Sequence, residues 1–258
     1  MLKVLIISLA LFCSAVAQPP SAIEAELLAH LSDISKYGNY GGEWDDAKVY
    51  AANDALREKL LLHGSRSDVL QFPFSRLRDE MFVATSKDGK FRAYSWDKQT
   101  GGTMRDFAAV FQYTLPGGKI AAIAENDGED ESAGSFYPEI YQLSAGDRTI
   151  YLLTSTFIGS TSMHGQSIRA VVIERDKLNL AAKLIKTASG LTPSVGFAYD
   201  FFSVVDRPER PIKLFEFNES RREFKFPVVV EDAKTPQGRV TNKFITYRFN
   251  GKHFVRVP

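Results

Sequence analysis

Alternation of apolar and polar residues is the main pattern of this chain from position 69 to its end. On either side of Asp88-Gly89, the residues of 81–86 and 91–96 alternate with a period of two. Asp-Gly favours a two-residue hairpin turn, because both central residues of a type I′ turn need a positive φ. Period-two runs that flank such a turn predict a pair of antiparallel strands.

The same pattern recurs along the chain, with turn residues between most of the runs and no helical periodicity between them. This arrangement is typical of antiparallel β structure. It predicts a mainly β fold that is an antiparallel meander of stacked or coiled sheets. A propeller stays open as an alternative, although the sequence has no fixed repeat period. The predicted strands are 71–74, 81–86, 91–96, 108–114, 119–125, 139–143, 149–157, 166–174, 179–185, 195–205, 212–217, 224–230, 244–249 and 253–257.

Two helices are predicted before the first strand, over about 21–64. Ser21 and Glu24 have the spacing of a capping box, and apolar residues follow at helical intervals as far as position 34. A second helix is predicted over 44–63, with acidic residues in its first turn and Gly64 after its end. We expect these helices to cover one face or one edge of the sheet.

The first seventeen residues have the pattern of a secretory signal peptide. Lys3 precedes an apolar run over 4–16, and Ala15-Val16-Ala17 matches a cleavage site of the A-x-A type. The run is shorter than the about 20 residues of a transmembrane helix. We therefore predict cleavage near Ala17, a secreted or periplasmic location, no later transmembrane segment, and a single mature domain over 18–258.

Charge and cysteine content exclude some classes of function. The chain has 32 basic and 31 acidic residues and no long basic run, which argues against a nucleic acid as partner. Its one cysteine, Cys13, lies in the predicted leader, so the mature domain has no disulfide. A hydrophobic core must therefore stabilise it, and 44% apolar residues suffice for one.

A polar loop rich in glycine separates two aromatic strands after Trp96. One interpretation makes Trp96 a stacking platform for a polar ligand that Asp97 and Arg105 hold, because binding pockets combine apolar walls with few polar groups. The other interpretation packs Trp96 in the core and gives Asp97 an Asx turn. The candidate ligand-binding residues of this loop are Trp96, Asp97, Thr100, Thr103 and Arg105.

The residues around this loop resemble a motif of secreted bacterial proteins. The resemblance rests on Asp88-Gly89-Lys90, on Arg92, on Tyr94-Ser95-Trp96-Asp97 and on Thr100-Gly101-Gly102-Thr103-Met104. That family is uncharacterised and implies no activity. The resemblance implies secretion and a shared fold only.

A second polar stretch, 155–169, contributes Ser160, His164 and Arg169 as further candidate ligand-binding residues. A hydroxyl of this stretch and His164 have the chemistry of a nucleophile and its base. The stretch does not match a G-x-S-x-G elbow, however, and no predicted helix follows it. A hairpin loop with solvated hydroxyls is the simpler interpretation.

Metal and cofactor sites have weak support in the sequence. The histidines lack the spacing of zinc ligands, so we predict no metal site and no cofactor. Calcium binding by the acidic stretch 125–131 stays an open alternative, although this stretch lacks the residue order of an EF-hand loop. Five positions offer carboxylates for glycoside hydrolysis. The distance between two such carboxylates decides between retaining and inverting chemistry, and the sequence does not give that distance. These positions are Asp97, Asp106, Glu139, Glu174 and Asp200.

These observations favour a secreted or periplasmic module that binds a small molecule or a protein. A hydrolase that acts on carbohydrate or cell-wall fragments is the alternative. The candidate surface is the loop from Trp96 to Asp106, beside the stretch from Ser160 to Arg169.

Overall fold

The computed structural model describes residues 18–125 and 134–257. The predicted leader 1–17, with Cys13, and positions 126–131 of the proposed calcium loop lie outside the described residues. Within these residues the helices are α1 (Pro20–Tyr37), α2 (Asp46–His63) and α3 (Ser67–Gln71). The strands are β1 (Phe82–Thr85), β2 (Phe91–Asp97), β3 (Phe107–Thr114), β4 (Ile120–Ala124), β5 (Ile140–Ala145), β6 (Arg148–Ile158), β7 (Met163–Ile173), β8 (Leu178–Asn179), β9 (Ile185–Thr187), β10 (Gly190–Thr192), β11 (Ser194–Asp200), β12 (Glu216–Asn218), β13 (Glu223–Asp232), β14 (Thr235–Phe249) and β15 (Phe254–Arg256).

The fold class is confirmed: strands hold 43% and helices 21% of the described residues, and the two predicted helices, followed by the short α3, precede the strands. The strands form three sheets, with the orders β1-β2-β3-β4, β11-β7-β6-β5 and β10-β9-β15-β14-β13-β12, which we call the first, second and third sheet. Strand β8 also pairs with β7. The β15–β9 pair is parallel, whereas the other strand pairs of the described residues are antiparallel. The sheets do not show a propeller.

The first helix begins differently from the sequence-based prediction. It starts at Pro20 after Pro19, with no side-chain cap, so Ser21 does not act as the cap. Proline suits this position because its missing N–H has no partner in the first helical turn. Glu24 does not close a capping box either: it is buried, and its Oε1 accepts hydrogen bonds from the backbone N–H groups of Arg76 (3.0 Å) and Leu77 (3.1 Å).

Several predicted strands also differ in the structure. Of the predicted strand 71–74, Gln71 ends the short helix α3 and 72–74 are not a strand. The predicted strand 179–185 holds only the last residue of β8 and the first of β9. The predicted strand 195–205 ends at Asp200, whose carboxylate accepts a hydrogen bond from the Phe202 N–H (2.9 Å). This local bond turns the chain into a 3-10 helix over Phe201–Val204.

The core consists of layers that stack the helices and the sheets. Apolar residues of α1 and α2 pack on one face of the first sheet, where they contact Tyr94 and Trp96. The other face of the first sheet packs on the second sheet, with Phe91 and Phe111 against Tyr151. The second sheet packs its remaining face on the third. Strand β2 is consequently buried on both of its faces.

Among residues 18–125 and 134–257, no helix is both long enough and apolar enough to cross a bilayer.

Candidate functional site

The loop from Asp97 to Asp106 is closed by its own polar groups. The backbone N–H of Lys98 donates to the Asp106 carbonyl oxygen (2.7 Å), and the Gln99 N–H donates to Asp97 Oδ1 (2.8 Å) as an Asx turn requires. The Thr100 hydroxyl donates to Asp106 Oδ2 (2.7 Å). The same oxygen forms an ion pair with Lys98 Nζ (2.9 Å). Asp97 and Thr100 therefore shape the loop.

Trp96 lies in the core and is not at the surface of this loop. It is 2% exposed, and its indole N–H donates to Asn53 Oδ1 of α2 (2.8 Å). A buried indole usually needs such a partner for its N–H. Its ring is therefore not available as a stacking platform. The structure agrees with the interpretation that packs Trp96 in the core.

An aromatic residue outside the loop provides the exposed ring that one interpretation of the sequence places at Trp96. Tyr40 follows the end of α1, is 45% exposed, and its hydroxyl donates to the Gly101 (2.9 Å) and Gly102 carbonyl oxygens. The guanidinium carbon of Arg105 lies 3.6 Å from the centre of the Tyr40 ring. The structure thus forms an exposed stack of a cation on an aromatic ring, which we call the Tyr40–Arg105 surface.

Sequence reasoning missed Tyr40 because its contacts with the loop span about sixty positions. The available signal was local: Tyr40 lies between Gly38 and Gly41-Gly42, in a short aromatic segment that joins two helices. Asn39 in the same segment donates from Nδ2 to the carbonyl oxygens of Thr100 (3.0 Å) and Gly101 (2.7 Å). The segment therefore holds the loop in place.

The two adjacent glycines of the loop have different structural roles. A Cβ added at Gly101 would lie 2.2 Å from the Met104 carbonyl oxygen, whereas one at Gly102 would meet nothing within 4 Å. The loop therefore requires glycine at position 101 and has space for a side chain at position 102. Thr103 is exposed beside them.

Asp97 and Arg105 form a half-buried ion pair beneath the Tyr40 ring. Arg105 Nη1 lies 3.1 Å from Asp97 Oδ2, with side-chain exposures of 37% and 25%. Burial raises the pKa of Asp97 above its ordinary value, although the Gln99 N–H and Arg105 act in the opposite direction. The pair orients the guanidinium over Tyr40 and occupies one of its five N–H donors.

The second polar stretch forms a tight hairpin between β6 and β7. Ser160 Oγ accepts a hydrogen bond from the Met163 N–H (2.9 Å), and the Ser160 N–H donates to the Met163 carbonyl oxygen (3.0 Å). The backbone of the hairpin thus engages the Ser160 hydroxyl. This is the arrangement of a serine that stabilises a turn.

His164 and Arg169 lie on opposite faces of the second sheet. Strand β7 is regular from Met163 to Ile173, and side chains that are five positions apart in a strand point in opposite directions. The His164 ring stacks on Phe201 with centroids 4.5 Å apart, and burial lowers its pKa. Arg169 Nη1 lies 3.5 Å from Glu125 Oε1 on the other face. The structure does not bring these two candidates together.

The two candidate loops nevertheless meet at one point. The backbone N–H of Arg105 donates to the Ile158 carbonyl oxygen (2.9 Å) at the end of β6. Ile158 is directly opposite His164 in the sheet. The Tyr40–Arg105 surface and the β6–β7 hairpin are therefore neighbours, held together by the main chain.

The described residues contain no group of three or more histidine, cysteine, aspartate and glutamate side chains that could hold a metal ion. Comparison with protein families, curated proteins and solved structures found no match to this chain.

Proposed function

We propose that this protein is an exported binding protein that holds its ligand on the Tyr40–Arg105 surface. The observation that carries this proposal is the Arg105 guanidinium 3.6 Å above an aromatic ring that is 45% exposed. An exposed ring offers a flat apolar contact, and the guanidinium offers a rigid fork of donors to acidic groups. A ligand with a ring face and an acidic group, such as an acidic sugar, fits this combination.

The surroundings of this surface support binding because they make the surface rigid. The Tyr40 hydroxyl is hydrogen-bonded to the loop, and Arg105 is bonded to Asp97 through its side chain and to Ile158 through its backbone N–H. Side chains that are ordered before the ligand arrives lose little conformational entropy on binding. Export is supported by the pattern of residues 1–17 in the sequence.

The binding proposal predicts that affinity depends on the Tyr40 ring and the Arg105 charge. The purified protein is titrated with a soluble muropeptide, an oligogalacturonide and uncharged chitobiose, and the shift in melting temperature is measured. We expect an acidic probe to bind, and Tyr40→Leu and Arg105→Gln each to weaken its Kd by about tenfold or more, since hydrogen bonds to a charged group are the stronger ones and Tyr and Arg carry much of the energy of binding sites.

Two variants control for effects on the fold. Tyr40→Phe keeps the ring and should retain most of the affinity. Tyr50→Leu removes a different exposed tyrosine, 58% exposed on α2, and should bind as the wild-type protein does. Unchanged responses of Tyr40→Leu and Arg105→Gln to every probe would contradict the proposal.

A second candidate function, hydrolysis of carbohydrate or cell-wall fragments, is favoured by Asp97 and Asp106. These two candidate carboxylates lie in one loop, and the charge of Asp106 adds to the effect of burial in raising the pKa of Asp97. Glycosidases pair a carboxylic acid of raised pKa with an ionised carboxylate.

The hydrolase alternative predicts turnover that depends on Asp97. If a chromogenic glycoside is cleaved, Asp97→Asn should lower kcat/KM by about 100-fold or more, as removal of a general acid does. Asp54→Asn, at an exposed position of α2, serves as the matched control. Equal rates for Asp97→Asn and the wild-type protein would reject the assignment of Asp97.

A further inference from the structure

Strand β4 forms one end of the first sheet and contains only apolar residues. Its sequence is Ile120-Ala121-Ala122-Ile123-Ala124, and β3 is its only partner strand among the described residues. The stretch 121–124 is half-buried, so the strand is still in contact with solvent. Native sheets usually protect an end strand with a charge, a proline or a bulge. Between its two ends β4 has none of these.

The outer edge of β4 has main-chain groups without partners. Alternate residues of an antiparallel strand bond to one neighbour, and the residues between them point their N–H and C=O groups to the other side. The Lys119 carbonyl oxygen accepts from the Leu115 N–H (2.7 Å), and the Glu125 N–H donates to β3 (2.9 Å). The outward groups are therefore those of positions 120, 122 and 124. No described residue forms a hydrogen bond with them.

The end of α2 covers a face of β4 and leaves this edge open. A Cβ added at Gly64, directly after α2, would lie 2.3 Å from the Ala122 Cβ. Gln112 of β3 is opposite Ala122 in the sheet, and its Nε2 donates to the Gly64 carbonyl oxygen (3.2 Å). The helix end is thus held over the β3–β4 pair from the side of β3.

The charges at the two ends of β4 are complementary. Lys119 precedes the strand, is exposed, and has no ion-pair partner among the described residues. Glu125 follows the strand, and its Oε1 accepts from the Tyr137 hydroxyl and lies 3.5 Å from Arg169 Nη1. A carboxylate has about four acceptor sites, so Glu125 has capacity for a further cation beside these partners. Lys119 and Glu125 are an even number of positions apart, which places their side chains on the same face.

We propose that β4 is a dimerisation surface, on which a second copy of this chain pairs antiparallel with Ala122 opposite Ala122. In this register Ile120 faces Ala124 of the second copy, so the outward N–H and C=O groups of the two strands bond to each other. Lys119 of each copy then lies opposite Glu125 of the other. A register shifted by two residues separates these charges. The surface is therefore self-complementary, as the two-fold symmetry of a homodimer requires.

Sedimentation equilibrium of the purified protein tests this pairing. We expect a monomer–dimer equilibrium with a Kd of about 1–100 µM, because a single pair of strands is a small interface. Lys119→Glu and Glu125→Lys each place like charges opposite each other, and each should weaken the Kd by about tenfold or more. Lys90→Glu makes the same change of charge at an exposed position before β2, and it should dimerise as the wild-type protein does.

A mixture of the two edge variants separates charge pairing from damage to the fold. The heterodimer of Lys119→Glu with Glu125→Lys has opposite charges at both ends of the strand pair, so it should form about as tightly as the wild-type dimer. Melting temperatures show whether each variant is folded. If Glu125→Lys does not fold, because its contacts with Tyr137 and Arg169 are lost, the other variants decide the result.

A cysteine at position 122 tests the register, in a Cys13→Ser background that has no other cysteine. Hydrogen-bonded residues that are directly opposite have Cα atoms about 5.5 Å apart, within the range of about 4.4–6.8 Å that a disulfide spans. Ala122→Cys should therefore form a disulfide-linked dimer on air oxidation. Ala124→Cys, on the same face, should link poorly, because the two copies of position 124 would lie about 14 Å apart.

The tests are independent of ligand binding, because the edge of β4 contains no residue of the Tyr40–Arg105 surface. Three results would each overturn the dimer proposal. The first is a wild-type protein that stays monomeric at about 500 µM, well above the Kd expected of a small interface. The second is a Lys119→Glu variant that dimerises as tightly as the wild-type protein. The third is equal cross-linking of Ala122→Cys and Ala124→Cys.

Discussion

Arg92→Leu is expected to lower the free energy of unfolding by about 3–4 kcal/mol, because it leaves buried carbonyl oxygens without donors. Arg92 is 3% exposed and is the second residue of β2. Its Nη1 donates to the carbonyl oxygens of Val69 (3.2 Å) and Phe72 (2.9 Å), and its Nε donates to Thr85 Oγ1 (2.8 Å). One side chain thus fastens α3 and the chain after it to the first sheet.

Neighbouring polar side chains extend this connection to the end of α2. The Tyr94 hydroxyl accepts from Arg92 Nη1 (3.3 Å) and donates to Gln112 Oε1 (3.0 Å). Gln112 Nε2 donates to the carbonyl oxygens of Gly64 (3.2 Å) and Arg66 (3.3 Å). Members of such a buried network depend on each other, so the loss of one also weakens the rest.

Chemical denaturation of the variants measures this effect. Arg148→Leu is the matched control, since Arg148 is exposed at the start of β6 and should change the free energy of unfolding by less than about 0.5 kcal/mol. Arg92→Lys should also be destabilised, because an ammonium group lacks the planar fork that reaches several acceptors. A loss for Arg92→Leu as small as that of the control would contradict the role of the network.

Trp96→Ala is expected to lower the free energy of unfolding by about 3–5 kcal/mol, the usual cost of removing a large aromatic side chain from a core. The side chain packs between the first sheet and the helices, and its loss also leaves Asn53 Oδ1 without the indole donor. Trp44→Ala is the control. Trp44 is 66% exposed, so its removal should cost less than about 0.5 kcal/mol.

The chain has only these two tryptophans, so fluorescence checks the assignment directly. Trp44→Ala should leave the blue-shifted emission of a buried indole that acrylamide quenches poorly. Trp96→Phe should leave red-shifted emission that is quenched readily. Two results together would make Trp96 a surface residue, as one interpretation of the sequence proposes. Trp96→Ala would be as stable as the wild-type protein, and the emission would be red-shifted in Trp44→Ala and blue-shifted in Trp96→Phe.

The contrast between these tryptophans shows where sequence reasoning stopped. The alternation along β2 correctly groups Phe91 with Ala93 and Arg92 with Trp96 on two faces. It does not say what covers each face. Here helices cover one face and the second sheet covers the other, so that a strand that contains an arginine is buried on both faces.

The candidate site illustrates the same limit. The glycine loop and its Asx turn follow from local chemistry, and both were among the interpretations of the sequence. The Tyr40–Arg105 surface depends on contacts between residues far apart in the chain. Patterns within one segment carry no information about such partners.

The sequence by itself determined the mainly β class, the two helices before the sheets and most of the hairpins, because turn residues and periodicity act over a few neighbouring positions. Only the tertiary structure decided which aromatic residue is exposed and which face His164 and Arg169 occupy. These properties depend on the packing of layers against each other, and packing joins residues that no local pattern relates.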